Sequence, residues 1–107
     1  MIIAIAGPYS ADTESERRAN LAAMNDAAAM ILELGHIPVI GVNAALPVVE
    51  RSNIANKYEA IMKISMAVIN NCEAILMTGS SPGADMEKEL ILSKGLPVYY
   101  SINEIPK

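Results

Sequence analysis

Among the residues able to do chemistry, one carboxylate is out of keeping with its surroundings. Glu87 has Gly83, Ala84, Leu90 and Ile91 three and four positions away, so on a helix it projects from an apolar face one turn from the N-terminus. Asp85, Lys88 and Glu89 fall on the other side and read as a solvated face. An unpaired charge on a buried stripe costs about several kcal/mol, so this group must pair, shift its pKa or serve chemistry. The positive end of the helix favours its ionised form. Two roles stay open on these residues: a group that serves chemistry on a ligand, or a carboxylate that bonds to loop amides and braces the first turn.

Two short loops accompany it. Gly7-Pro8-Tyr9-Ser10 offers a glycine where backbone can approach a ligand, with an aromatic ring and a hydroxyl behind it. Tyr9 could turn its hydroxyl toward Glu87 and its ring toward a ligand. Gly79-Ser80-Ser81-Pro82-Gly83 places Ser81 as an N-cap and Pro82 at the first helical position, which leaves the Gly83 and Ala84 amides to face an anion. On that basis a phosphorylated ligand is expected to be preferred. Each loop also reads as a plain turn and cap, and neither spells a dinucleotide fingerprint or a P-loop. A nicotinamide redox domain is therefore disfavoured, and no cofactor is implied.

The remaining reactive side chains divide quickly. Arg17 and Arg18 could reach a phosphate held at the Gly7–Ser10 loop, but adjacent arginines on a helix tend to be partly solvated, so at most one of the pair is expected to face the site, with Arg17 the candidate. His36 follows a helix end and precedes a strand, which suits packing or capping better than base catalysis. Cys72 lies between an apolar helix end and a strand, where a free thiol is inert. One cysteine and one histidine cannot build a structural zinc site, so no metal is expected. The seven methionines fall on core positions such as Met30 and Met62.

These groups need a frame, and 107 residues supply one domain. The net charge of −4, without a run of Lys or Arg, argues against a partner such as a nucleic acid polymer and favours a small molecule. No apolar stretch approaches the ~20 residues that cross a bilayer, and the opening segment reads as a strand and not as a secretory signal, so a cytoplasmic protein without membrane contact is expected. Strand candidates are Ile2–Ala6, Ile37–Ile40, Ala74–Met77 and Pro97–Tyr100. Helices are predicted over Thr13–Leu34, closed by Gly35; over Asn56–Asn70, with Ile61, Ile64, Ala67 and Val68 on one face; and from Pro82 to Lys94, closed by Gly95. Gly41–Ala55 has no clear period and reads as a loop: a lid, a subunit contact or a plain surface connection. The alternation predicts a single α/β domain over 1–107, with a four-stranded parallel sheet of order 2-1-3-4 and helices on both faces. Its ligand crevice lies past the carboxyl ends of strands one and three, where the Gly7 and Gly79 loops emerge.

Together, Ile5-Ala6-Gly7-Pro8-Tyr9-Ser10, Arg17 to Asn20, Gly35-His36-Ile37-Pro38, Asn71-Cys72-Glu73-Ala74, Ser81-Pro82-Gly83-Ala84-Asp85-Met86-Glu87 and Gly95-Leu96-Pro97-Val98-Tyr99 resemble the nucleoside 2-deoxyribosyltransferase-like superfamily, and within it the small domain family DUF4406. The most specific element is Ser81-x-Gly83-x-x-x-Glu87, similar to the motif that carries the nucleophilic glutamate of deoxyribosyltransferases and deoxynucleotide N-glycosidases. The resemblance implies a flavodoxin-like three-layer sandwich, assembly as a homo-oligomer (a dimer or higher), a nucleoside or nucleotide substrate, Glu87 as nucleophile and Ser81 on a 5′-phosphate. It also implies a departure: an aspartate that handles the proton on the leaving base is matched here by Ser65, and the aspartate opening the third strand by Glu73. Two functions follow. One is an N-glycosidase or deoxyribosyltransferase, which requires an ionised, accessible Glu87; the other is a nucleotide-binding or sensing module, which a Glu87 locked by internal hydrogen bonds would favour.

Overall fold

Alternation along the first strand sets the architecture. In β1 (Ile2–Ala6), Ile3 and Ile5 enter one apolar core while Ala4 and Ala6 enter a second, as a two-residue period requires of a strand covered on both faces. Ile3 is 0% and Ile5 1% exposed, as expected of a central strand. The computed structural model describes all 107 residues. After β1 come α1 (Glu14–Glu33), β2 (Ile37–Ile40), α2 (Gly41–Arg51), α3 (Lys57–Ile69), β3 (Ala74–Met77), α4 (Pro82–Ser93) and β4 (Val98–Tyr99). All pairings are parallel in the order β2-β1-β3-β4, with Ile3 opposite both Pro38 and Ala74. Met24 and Ile31 of α1 cover one face; Ile69 of α3 and Ala84 and Ile91 of α4 cover the other.

The helix ends follow their sequence signals. Thr13, Asn56 and Ser81 each accept a hydrogen bond from the amide three residues on, at 3.1, 3.0 and 3.1 Å. Gly35 and Gly95, just past α1 and α4, take the positive φ that suits glycine.

Three expectations are corrected. The segment expected as a loop, Gly41–Ala55, is mostly the helix α2, so the fold has four main helices and not three. Pro47 hid it. Within the helix Pro47 has no amide to give the Asn43 carbonyl, but both residues are exposed, so water can take that carbonyl's bond. The buried stripe is Gly41, Ala45 and Val49, four residues apart. On α3, the buried positions are Ser65 and Ile69, while Ala67 is exposed; the face is rotated from the one expected. The last strand is shorter than Pro97–Tyr100, and the chain continues into a 3-10 turn, Ile102–Glu104, whose Ser101 and Glu104 cap each other and seat Ile105 in the α1-side core.

Candidate functional site

The carboxyl ends of β1 and β2 open into a cavity of about 500 Å³, a size suited to a small organic ligand. Its floor is Ile5 and Ala6, where an alanine in place of a larger residue leaves room beside α4. Its walls come from the β1–α1 loop, the start of α2, the Tyr58–Ser65 face of α3 and the first turns of α4. Gly7, Tyr9, Ser10, Ser81, Gly83 and Glu87 all line it, which joins six of the residues expected at the site.

Glu87 is 8% exposed. Its Oε1 accepts a 2.7 Å hydrogen bond from the Ser65 hydroxyl on α3. Its Oε2 takes no hydrogen bond from the protein, and it is not sealed from the cavity, since no buried side-chain oxygen lacks a partner. Burial pushes the Glu87 carboxyl up to about 7, and the Ser65 hydroxyl draws it partly back. The helix end therefore does not hold this group fully ionised at neutral pH, contrary to the expectation from its position; removal from water outweighs the dipole.

Ser65 is itself fixed from behind. It is 1% exposed, and Gly41 at the start of α2 comes so close that a Cβ there would fall 1.9 Å from Ser65 Oγ. Gly7 plays a similar part between the loops: a Cβ on it would meet Thr78 Oγ1 at 2.0 Å. It thus packs β1 against the end of β3 as well as lining the cavity.

Other expected site residues sit elsewhere. Pro8 and Gly79 pack on each other and do not line the cavity. Arg17 donates from Nη1 to the Ala11 carbonyl at 2.8 Å, bracing the loop from outside, and Arg18 pairs with Glu14 at the surface. The Tyr9 hydroxyl makes no hydrogen bond to Glu87; Asn20 holds the Tyr9 carbonyl at 3.1 Å, and the ring packs on the α1-side core. At the start of α4 the Ala84 amide is not free, because Ser81 Oγ takes it; the Gly83 amide and the Ser81 hydroxyl hydrogen remain as donors.

Several lining residues escaped sequence reasoning. Tyr58, half exposed at the cavity edge, and Met62, which touches Gly83, come from α3; Gly41 and Val42 come from the segment expected as a loop. Ser65 was marked by the family resemblance as the position of an aspartate, but not as the partner of Glu87. Away from the cavity, His36 is buried between the Met1 amine and the Pro106 carbonyl, and the buried Cys72 thiol is pushed up by burial. No three of the His, Cys, Asp and Glu side chains come together as metal ligands. No helix is long and apolar enough to cross a membrane.

Residues 1–100 match the family model described as "Domain of unknown function (DUF4406)". No curated protein matches the sequence.

Proposed function

The chain belongs to the DUF4406 domain family, and from the geometry of its cavity we propose that it cleaves the bond between a base and a sugar, as a nucleoside or nucleotide N-glycosidase or deoxyribosyltransferase. One observation carries this reading: a single buried carboxyl, Glu87, presents an oxygen with no protein partner to a cavity that lacks any other acid. The similarity of Ser81-x-Gly83-x-x-x-Glu87 to the deoxyribosyltransferase motif gives the reading its direction.

In that reaction the ionised Glu87 attacks the anomeric carbon, and the electron pair of the sugar–nitrogen bond leaves with the base. The base takes a proton from water or from the phenol of Tyr58 at the cavity edge. Water, or a second base, then opens the glycosyl ester and returns the carboxylate. A low-dielectric pocket strengthens the attraction between Glu87 and the positive charge that builds on the sugar.

A second reading, a binding or sensing module, is favoured by the same hydrogen bond, since one Glu87 oxygen is already engaged and the carboxyl is half neutral near pH 7. Incubation with a panel of nucleosides and their 5′-monophosphates, with released base separated by chromatography, distinguishes the two. Release that disappears in Glu87→Gln supports the enzyme. Binding of a panel member without release supports the module.

A further inference from the structure

We propose, building on the nucleophile reading, that Ser65 is a positioning residue: its hydroxyl fixes Glu87 Oε1 and so makes Oε2 the oxygen that attacks the sugar. A buried hydroxyl needs an acceptor, and the one bond Ser65 makes is the 2.7 Å bond to Oε1. Gly41 packs directly behind Oγ, so closely that a Cβ there would fall 1.9 Å from it. The contact is thus held from both sides, by α2 and by α4. No protein donor touches Oε2, which keeps its lone pairs for the ligand. No charged group shares the cavity with Glu87; its other ionisable members are the Tyr9 and Tyr58 phenols.

The same bond fits both halves of the reaction. When Oε2 joins the anomeric carbon and the sugar–nitrogen bond breaks, Oε1 becomes the carbonyl oxygen of the ester. Ser65 can donate to it throughout. When water attacks the sugar and the Oε2 bond breaks, the pair returns to a carboxylate already held by a hydrogen bond, which makes it a better leaving group. A serine hydroxyl behind the carboxyl cannot itself supply the proton that the leaving base requires, so its contribution is geometric and electrostatic.

The test follows the titration of Glu87 by carbon-13 NMR of labelled glutamate carboxyls in the wild type, Ser65→Ala and Ser65→Cys, with kcat and KM from base release. The wild-type midpoint is expected near 7. Loss of the hydroxyl should raise it, and the weakly donating thiol should place it between the two. In Ser65→Ala, kcat should fall about 10- to 100-fold, the scale of one hydrogen bond to a charged group, with KM little changed. Should the alanine variant not fold, the cysteine variant, which keeps the shape of the side chain, carries the comparison. An unmoved midpoint, or a KM effect without a kcat effect, overturns the assignment. A raised midpoint in a protein whose wild type releases no base overturns the nucleophile reading alone and leaves Ser65 as the holder of a ligand-binding carboxyl.

Discussion

Gly41 and Ser65 meet more closely than any side chain at position 41 would allow: a Cβ on Gly41 would lie 1.9 Å from Ser65 Oγ, 2.9 Å from its Cβ and 3.1 Å from its Cα. The first residue of α2 and the middle of α3 are thereby pressed together behind Glu87. Gly41→Ala should cost about 1–3 kcal/mol in urea denaturation, the usual scale of overpacking. Combining it with Ser65→Ala removes the oxygen clash but leaves the contacts with the Cβ and Cα of residue 65. The double variant should therefore lose less than the sum of the singles, and strict additivity would show that the two residues do not press on each other.

The raised Glu87 pKa makes stability depend on pH with a definite sign. The folded protein holds the proton more tightly than the unfolded chain, so this contribution is fully present below about pH 4.5, declines as pH rises and is lost above about 7. Glu87→Gln has no such dependence. Relative to wild type, the variant should gain up to about 3 kcal/mol between pH 4.5 and pH 8 in matched denaturation curves. A constant difference across that range would mean that Glu87 titrates as an ordinary surface carboxylate.

As a nucleophile, Glu87 must be ionised. Base release should rise as pH passes through about 7 and vanish in Glu87→Ala, whose fold should persist, since the change orphans only the Ser65 hydroxyl, at a cost of about 1–3 kcal/mol. With methanol present, the methyl glycoside should retain configuration, the outcome of two displacements at one carbon. An inverted product would assign Glu87 to activating water.

Ser81 has a structural duty whatever the ligand, since it caps α4 at the Ala84 amide. Ser81→Ala should lower stability by about 1 kcal/mol. If the hydroxyl hydrogen and the Gly83 amide also receive a phosphate, a 5′-monophosphate should lose about a further 1 to 3 kcal/mol of affinity in calorimetry while the free nucleoside is almost unaffected. Equal losses for both ligands would remove phosphate from this end of the cavity.

Much of this frame could be read from residue order alone. Each strand is a short apolar run with a punctuating residue, and the three caps and two closing glycines mark α1, α3 and α4. Glu87 was legible because its apolar neighbours lie at helical spacing on its own segment. What it touches was not. Ser65 stands 22 residues away on another helix, and which face of α3 turns inward depends on α2, a helix disguised by Pro47. Arg17 misled for the opposite reason: its charge suggested a ligand, whereas the Ala11 carbonyl beside it was acceptor enough.

The central position of β1 has a consequence for synthesis. Its partner β3 pairs with it across 71 residues, the separation of Ile2 and Glu73. At about 5–20 residues per second on the ribosome, roughly 4 to 14 seconds separate the making of the two strands. During that interval an apolar five-residue strand has one flank without its partner, and the Gly7 loop has no Thr78 to close on. The order of translation thus delays completion of the sheet and leaves the nascent chain reliant on α1 folding early to shelter Ile3 and Ile5.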